Sequence, residues 1–235
     1  MGSPPKRRDP APSGPPAFSD RAEAGVLLGA ALRDILAPSP SLTPERPYPE
    51  RLVAGTGPVA MTRDGGPVVF AVPRGGVAVA VGVARALSAH LDVLMVRKIG
   101  HPAAPELGLG AIAEDGAGGA AEPYFDAEML DRVGLTTDDL ADVVARERAE
   151  LARRVAVYTR GTPRPQAHPG ASVPVIVVDD GLATGVTARA ALRAVRARGV
   201  DRPLLAVPVA SASGVEAIEK ENGEVVTLVT SRRFR

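Results

Sequence analysis

The chain has 235 residues, of which 45% are hydrophobic and 23% are charged, and its formal net charge is +1. This composition predicts a soluble globular chain long enough for one α/β domain with a real core, and it gives no reason to expect nucleic acid or a membrane surface as a partner. Cysteine is absent, which excludes disulfides, thiolate zinc sites and a cysteine nucleophile and is compatible with a cytoplasmic location. No apolar run is long enough to span a bilayer.

Two proline-rich segments set the predicted organisation of the chain. Residues 1–17 predict a disordered tail, because proline and polar residues dominate and leave little to bury. Residues 18–235 predict a single domain. Within it, residues 38–66 hold many prolines and glycines without periodicity and predict a long loop insertion.

A helix is predicted between these two segments. Ser19 or Asp20 can cap its N-terminus, and the helix runs to about Leu36 before prolines end it. Its expected face is mixed but largely apolar and consists of Val26, Leu27, Ala30, Ala31, Asp34 and Ile35.

The first predicted strand–loop–helix unit follows the insertion. Residues 67–72 form a short β-branched run typical of a buried strand, and residues 77–88 resume with helical character. Arg74, Gly75 and Gly76 occupy the turn, where a guanidinium stands beside backbone N–H groups that glycine leaves accessible. The alternative is a glycine-rich turn with a surface arginine.

A basic pair follows the next predicted strand, residues 91–96. Arg97 and Lys98 would then lie at the carboxyl end of a parallel strand, where ligands of open α/β sheets bind. The alternative is solvent-exposed charge at the end of a strand.

Residues 99–110 contain three glycines, two prolines and no firm period, and they predict a loop that carries the polar side chains of His101 and Glu106. A strand over residues 107–113 is the alternative for its last part. Glu114 and Asp115 close this segment, and they either bear on a metal ion or form a turn.

The most informative stretch begins with the apolar run at residues 173–178, which predicts a strand buried on both faces. Asp179 and Asp180 stand where this strand ends. A loop of small residues and hydroxyls follows, and a helix begins near residue 188.

That junction has the chemistry of a sugar phosphate site. A helix N-terminus with small side chains holds phosphate on its backbone N–H groups, and Thr184 and Thr187 can add hydroxyl donors. Asp179 and Asp180 repel phosphate and suit sugar hydroxyls or a metal ion. Phosphate on the loop and a diol on the carboxylates together describe a ribose 5-phosphate. The alternative is an ordinary turn in which one aspartate caps the helix.

The remaining segments complete an alternation of strands and helices. Helices are predicted near residues 126–133 and 136–158, and two further strands follow the central junction. We therefore predict an α/β fold with an open, mostly parallel twisted sheet and helices on both faces.

Residues 175–187 resemble the phosphoribosyl pyrophosphate (PRPP) signature of the type I phosphoribosyltransferases, which has apolar residues, two acids, small residues, Thr-Gly and a hydroxyl. Residues 73–115 are similar to a bacterial, uncharacterised branch of that superfamily. The resemblance implies a small hood that is reduced or incomplete here, because few residues follow the last predicted strand.

The resemblance also implies roles for individual residues. Arg74, Lys98, Asp179 and Asp180 would be catalytic, and residues 99–110 with His101 and Glu106 would form a flexible lid. Asp179 and Asp180 would also bear on Mg²⁺, directly or through water. The residues expected to bind PRPP are Arg74, Gly75, Gly76, Arg97, Lys98, Asp179, Asp180, Gly181, Leu182, Ala183, Thr184, Gly185, Val186 and Thr187.

The implied activity is transfer of the phosphoribosyl group to a nitrogen acceptor, expected to be a nucleobase, with release of pyrophosphate. A homodimer is the oligomer implied. Ala183 stands where 6-oxopurine enzymes of the superfamily carry an aspartate, which disfavours a 6-oxopurine acceptor. Two alternatives remain: a sensor that binds PRPP or a nucleotide without turnover, and a purely structural role.

Overall fold

The computed structural model describes residues 18–37, 66–158 and 174–231. The predicted tail at residues 1–17 and nearly all of the insertion predicted at residues 38–66 lie outside these ranges. Within the described ranges, no helix is both long and apolar enough to cross a membrane. The elements in chain order are α1 (Arg21–Leu36), β1 (Val68–Ala71), α2 (Gly75–Leu87), β2 (His90–Val93), β3 (Val96–His101), β4 (Ala104–Ala113), β5 (Tyr124–Phe125), α3 (Ala127–Val133), α4 (Ala141–Tyr158), β6 (Val175–Val178), α5 (Val186–Ala197), β7 (Leu204–Ser211), α6 (Ala212–Glu219) and β8 (Glu224–Ser231).

A five-stranded sheet with the order β2-β1-β6-β7-β8 forms the core, and all of its neighbouring strands are parallel. Its central strands are apolar along their whole length because helices cover both faces. Phe70 and Val177 pack towards α5 and α6 on one face. Val69 and Ile176 pack towards α1 and α2 on the other. The predicted open, mostly parallel sheet with helices on both faces is confirmed.

The strand order reverses between β1 and β6. These strands are neighbours, yet α2, which follows β1, covers one face of the sheet, and α5, which follows β6, covers the other. The two loops that leave the carboxyl ends of β1 and β6 therefore diverge and leave a crevice between them. Open α/β sheets bind ligands at such a switch point.

Helix α1 begins as the sequence predicts but turns a different face to the core. The Asp20 side chain caps it by accepting a hydrogen bond from the Glu23 N–H group. The predicted apolar face is wrong at Val26, which is 61% exposed, and at Leu27, which is 40% exposed. Ala31 of that face is buried, and Leu28, which lay outside it, is fully buried. The face of α1 that is buried is the adjacent one, because that face packs against α2.

Glycines bring α1 and α2 together. A β carbon on Gly25 would lie 2.4 Å from the carbonyl oxygen of Val79, and one on Gly82 would lie 2.5 Å from the carbonyl carbon of Gly25. The two backbones thus approach more closely than side chains would allow. This crossing fixes where the N-terminus of α1 lies above the sheet.

A second, three-stranded antiparallel sheet has the order β3-β4-β5. The strand predicted over residues 91–96 is wrong in its extent, because β2 ends at Val93 and β3 begins at Val96 in the other sheet. The irregular loop predicted over residues 99–110 is also wrong, because these residues form the hairpin of β3 and β4. The strand that the sequence offered over residues 107–113 lies within β4. The glycines of the hairpin serve close strand contact: a β carbon on Gly100 would lie 2.2 Å from the carbonyl oxygen of Pro105.

Helices α3 and α4 cover one face of this antiparallel sheet. Ile99, Leu109 and Ile112 are fully buried in a cluster with Leu140 and Leu151. The helix predicted over residues 136–158 is interrupted near its start, where a short 3₁₀ turn precedes α4. On the other side, Ala111 and Tyr124 pack against Val186 and Ala190 of α5, so the antiparallel sheet rests on the helix that starts at the switch point.

Candidate functional site

The loop between β6 and α5 is anchored at its middle by Leu182. The Leu182 N–H group donates to the Val209 carbonyl at 2.9 Å, and the Ser211 N–H group donates to the Leu182 carbonyl at 2.7 Å. Residues 179–181 therefore leave the sheet, Leu182 returns to pair with β7, and residues 183–185 turn into α5. Gly185 completes the turn in the left-handed conformation, with φ of 83°.

The backbone N–H groups of residues 183–188 have no acceptor among the described residues. The first helical hydrogen bond runs from the Arg189 N–H group to the Gly185 carbonyl at 2.8 Å. No side chain in the described part of the chain caps α5, so the alternative in which an aspartate serves as its N-cap is not what the structure has. Successive unpaired N–H groups at a helix N-terminus form a site for an anion such as phosphate.

The glycine turn after β1 lies directly against the two aspartates. A β carbon on Gly75 would lie 1.8 Å from Oδ2 of Asp180, and one on Gly76 would lie 2.9 Å from the α carbon of Asp179. Only glycine allows the two loops of the switch point to meet this closely. The structure thus brings Gly75, Gly76, Asp179 and Asp180 together.

Arg74 stands at the start of this turn and is exposed. The Pro73–Arg74 peptide bond is cis. The Arg74 backbone carbonyl accepts a hydrogen bond from the Val77 N–H group at 3.3 Å, but its side chain has no hydrogen-bond or ion-pair partner among the residues that the structure describes. Its guanidinium is therefore available to an anionic ligand beside the glycine turn.

The acidic pair is asymmetric. Asp179 Oδ1 accepts a hydrogen bond from the Asp180 N–H group at 2.8 Å, and Asp180 Oδ2 accepts one from Nε of Arg21 at 2.8 Å. Burial raises the pKa of Asp179 to about 7; the adjacent Asp180 carboxylate also raises it, while the Asp180 N–H group opposes the rise. Arg21 is a site residue that sequence reasoning missed, since it lies 159 positions from its partner.

An open cleft of about 560 Å³ lies beside the acidic pair. Asp180 and Pro208 form one side of it, and the N-terminus of α1 forms the other. The Asp180 carboxylate therefore faces accessible space. The residues that line the cleft are Phe18, Ser19, Asp20, Arg21, Ala22, Ala24, Ala78, Asp180 and Pro208.

The basic pair lies elsewhere than predicted. Arg97 and Lys98 are inside β3 of the antiparallel sheet and not at the end of a parallel strand. Arg97 is partly buried and donates to Glu147 Oε2 from Nε at 2.9 Å and from Nη2 at 2.6 Å. Lys98 is exposed and donates to the Glu106 backbone carbonyl. Neither cation is paired with Asp179 or Asp180 in the described structure.

The remaining polar candidates have local roles. His101 Nδ1 accepts a hydrogen bond from the Ala103 N–H group at 3.0 Å, and the Glu106 side chain is exposed on the hairpin. Glu114 is fully buried and accepts from the Met95 N–H group at 2.9 Å. Asp115 accepts from the N–H groups of residues 117 and 119, so this acid forms a turn.

The acidic pair fits a divalent cation that a phosphate ligand would share. No group of three or more His, Cys, Asp or Glu side chains arranged for a metal exists within the described ranges. Mg²⁺ is commonly held by one or two carboxylates together with substrate phosphates and water, and does not need such a cage. Asp179 Oδ1 and Asp180 Oδ2 accept the hydrogen bonds described above, so Asp179 Oδ2 and Asp180 Oδ1 are the oxygens left to bind it.

An uncapped helix N-terminus beside two carboxylates, at the switch point of a parallel sheet, is an arrangement that suits a phosphorylated sugar. The model of the phosphoribosyl transferase domain matches residues 61–233 of this chain. The chain belongs to the phosphoribosyl transferase domain family, as its resemblance to the type I enzymes implied.

Individual relatives agree with this assignment. The chain is 42% identical over 168 residues to two Mycobacterium tuberculosis proteins, from strains CDC 1551 / Oshkosh and ATCC 25618 / H37Rv, each named "Putative phosphoribosyl transferase". The match covers 71% of this chain and 36% of each relative, so the chain spans about a third of their length. The crystal structure of TT1426 from Thermus thermophilus is 36% identical, with a TM-score of 0.63, and the match covers 93% of this chain and 86% of that one.

Proposed function

We propose that this chain transfers the phosphoribosyl group of PRPP to a nitrogen acceptor, with a nucleobase as the expected acceptor class. The acceptor nitrogen forms a bond to C1 of the ribose. The bond from C1 to the pyrophosphate oxygen breaks, and its electron pair leaves with pyrophosphate. The proton on the acceptor nitrogen is released to solvent or to the departing pyrophosphate.

The contact between the two loops of the switch point carries this proposal. The unpaired N–H groups of residues 183–188 suit the 5-phosphate. Asp179 and Asp180 are positioned for the ribose hydroxyls. The glycine turn that touches these carboxylates leads to Arg74, which suits the pyrophosphate. The 5-phosphate, the ribose and the pyrophosphate of one PRPP molecule would thus contact three neighbouring parts of the site, in the same order as they are bonded to one another.

The chemistry expected from these residues is mainly electrostatic. The reacting ribose gains positive charge as C1 loses pyrophosphate, and the ionised carboxylates of Asp179 and Asp180 stabilise it. Arg74 and the Gly75 N–H group stabilise the charge on the leaving group, whereas the Gly76 N–H group donates to the Val72 carbonyl at 3.1 Å. The site also accelerates the reaction by holding donor and acceptor in line, because positioned reactants avoid most of the entropy cost of meeting.

Mg²⁺ belongs to the proposal as the cation that neutralises the pyrophosphate when bound. Asp179 Oδ2 and Asp180 Oδ1 would hold it, directly or through water. Asp179 must be ionised for this, and its pKa of about 7 makes binding favourable above neutral pH.

The hairpin of β3 and β4 is proposed as the cover of the reaction site. Lys98 and Glu106 are exposed on it. Movement of the hairpin towards the switch point would bring Lys98 to the pyrophosphate. His101 lies at its tip. Closure would exclude water and so favour transfer over hydrolysis of PRPP. Arg97 is proposed to help indirectly, through its ion pair with Glu147 of α4.

Calorimetry and an acceptor screen test this function. PRPP is titrated into the chain with and without Mg²⁺, and pyrophosphate release is then followed with a panel of purines, pyrimidines and amines. We expect Mg²⁺-dependent binding of PRPP and release that depends on one acceptor. Size-exclusion chromatography with light scattering on the same sample tests the proposed homodimer.

Three other outcomes have distinct meanings. Binding of PRPP without acceptor-dependent release would favour a sensor over a transferase. Absence of PRPP binding would overturn the proposal. Unchanged binding by the D179N and D180N variants would show that the acidic pair has no part in the site, and a structural role would then be favoured.

A further inference from the structure

One residue at the junction of β7 and α6 is hydrogen-bonded to the loop between β6 and α5. Ser211 ends β7 and caps α6, and its side chain is buried. Its backbone N–H group donates to the Leu182 carbonyl at 2.7 Å, and its hydroxyl donates to the Ala183 carbonyl. A single residue, 28 positions along the chain, thus fixes two successive carbonyls of the loop.

These two hydrogen bonds determine where the next two N–H groups point. The peptide bonds of residues 182–184 are trans, and in a trans peptide the C=O and N–H groups point in opposite directions. Since the carbonyls of Leu182 and Ala183 face Ser211, the N–H groups of Ala183 and Thr184 face away from it. Ala183 and Thr184 are exposed, and neither N–H group has an acceptor among the described residues, so both are available to a ligand on the side of the loop away from Ser211.

The hydroxyl of Ser211 is fully used in this arrangement. It accepts from the Gly214 N–H group at 2.8 Å while it donates to Ala183. Its distance to Ser213 Oγ is 3.2 Å, and because a hydroxyl carries one proton, Ser213 must be the donor there. Gly214 packs against the same carbonyl, since a β carbon on it would lie 2.5 Å from the Ala183 oxygen.

We propose that Ser211 is a positioning residue for the 5-phosphate of the substrate. By holding the Leu182 and Ala183 carbonyls against β7, it presents the N–H groups of Ala183 and Thr184 to the phosphate before the ligand arrives. The inference rests on the proposed function, since it assigns the phosphate of PRPP or ribose 5-phosphate to this loop. Ser211 itself does not touch the ligand.

The test compares two ligands that use different halves of the site. Ribose 5-phosphate requires the loop after β6, whereas pyrophosphate requires the glycine turn after β1. The variants S211A, S211T and S213A are titrated with each ligand in the presence of Mg²⁺. Loss of one buried hydrogen bond that preorganises a loop is expected to weaken ribose 5-phosphate binding about tenfold in S211A.

The controls show that the Ser211 hydroxyl is responsible, and the comparison of the two ligands separates positioning from helix capping. S211T keeps the hydroxyl and should bind ribose 5-phosphate within about threefold of the wild type. S213A removes a neighbouring hydroxyl that does not reach the loop and should leave both affinities unchanged. Loss of the α6 cap in S211A lowers the melting temperature, but a general loss of stability does not discriminate between the two ligands.

The selective loss of ribose 5-phosphate affinity supports the inference. Equal loss for both ligands, or no loss in S211A, overturns it. If S211A does not fold, G214A replaces it, because its methyl group displaces the same carbonyl and should produce the same selectivity. The proposed function itself fails if the wild type binds pyrophosphate but not ribose 5-phosphate, or binds neither ligand. The inference about Ser211 alone fails if the wild type binds both ligands and S211A binds them equally well.

Discussion

Replacing Asp179 with asparagine should stabilise the folded chain above neutral pH and at the same time weaken its binding of PRPP. Asparagine keeps the shape of the side chain and can still accept the hydrogen bond from the Asp180 N–H group. It removes the charge that burial and the neighbouring carboxylate disfavour. The same variant is therefore expected to gain stability and to lose affinity for PRPP.

The magnitude follows from the pKa of Asp179. The step from an ordinary pKa of 3.8 to about 7 corresponds to roughly 4 kcal/mol. This is an upper limit, because Asp179 keeps some contact with solvent, which screens its charge. Between about pH 4 and pH 7 the folded chain retains a proton that the unfolded chain has released. The free energy of unfolding therefore falls as the pH rises through this window and is constant, for this group, above it.

Urea unfolding between pH 4 and pH 8.5 measures this difference. The D179N variant lacks the group, so its advantage over the wild type should be near zero at pH 4 and reach its full value at about pH 8. PRPP affinity at pH 8 should fall at least about tenfold, because the variant has lost an ionised acceptor for the ligand. D142N, which removes an exposed carboxylate from α4, should keep the wild-type pH dependence. Parallel pH profiles for D179N and the wild type would refute the reasoning.

Three further predictions concern the rest of the site. G75A should weaken PRPP binding at least about tenfold, because its methyl group would lie 1.8 Å from Asp180 Oδ2 and must push the carboxylate out of place; calorimetry measures this, and an affinity equal to wild type would contradict it. R97Q should lower the free energy of unfolding, measured in urea, by about 1–3 kcal/mol, because it removes the partly buried ion pair with Glu147. K98Q should change the stability little and should lower the rate of pyrophosphate release more. The reverse pattern would exclude these roles. Removal of Mg²⁺ with EDTA should weaken PRPP more than ribose 5-phosphate, and equal affinities with and without the cation would count against the metal.

The parts of the site that lie close together in sequence could be predicted from it. The apolar run, the acids and the small residues of the β6–α5 junction each have a local physical reason, so residues 179–187 were identified as one unit. Gly75 and Gly76 followed from the same logic. Their contact with Asp179 and Asp180 required only that β1 and β6 be neighbours.

The parts that depend on tertiary packing could not be predicted in the same way. The glycines of residues 99–110 indicated an irregular loop, yet Gly100 serves the close approach of two strands. The same ambiguity misplaced the apolar face of α1, where Gly25 makes the contact. Arg21 and Ser211 reach the site from distant elements, and no local pattern marks either one.

The α1–α2 crossing has a consequence for protein engineering. Exchanging a helical glycine for alanine usually stabilises a helix by about 0.5–1 kcal/mol and is a common choice in thermostability libraries. At Gly25 or Gly82 the added methyl group would instead wedge two backbones apart and tilt α1 outward. Because Arg21 is the first residue of that helix, the tilt would withdraw its guanidinium from Asp180. Variants at these two glycines should therefore be tested for altered ligand affinity as well as for heat resistance.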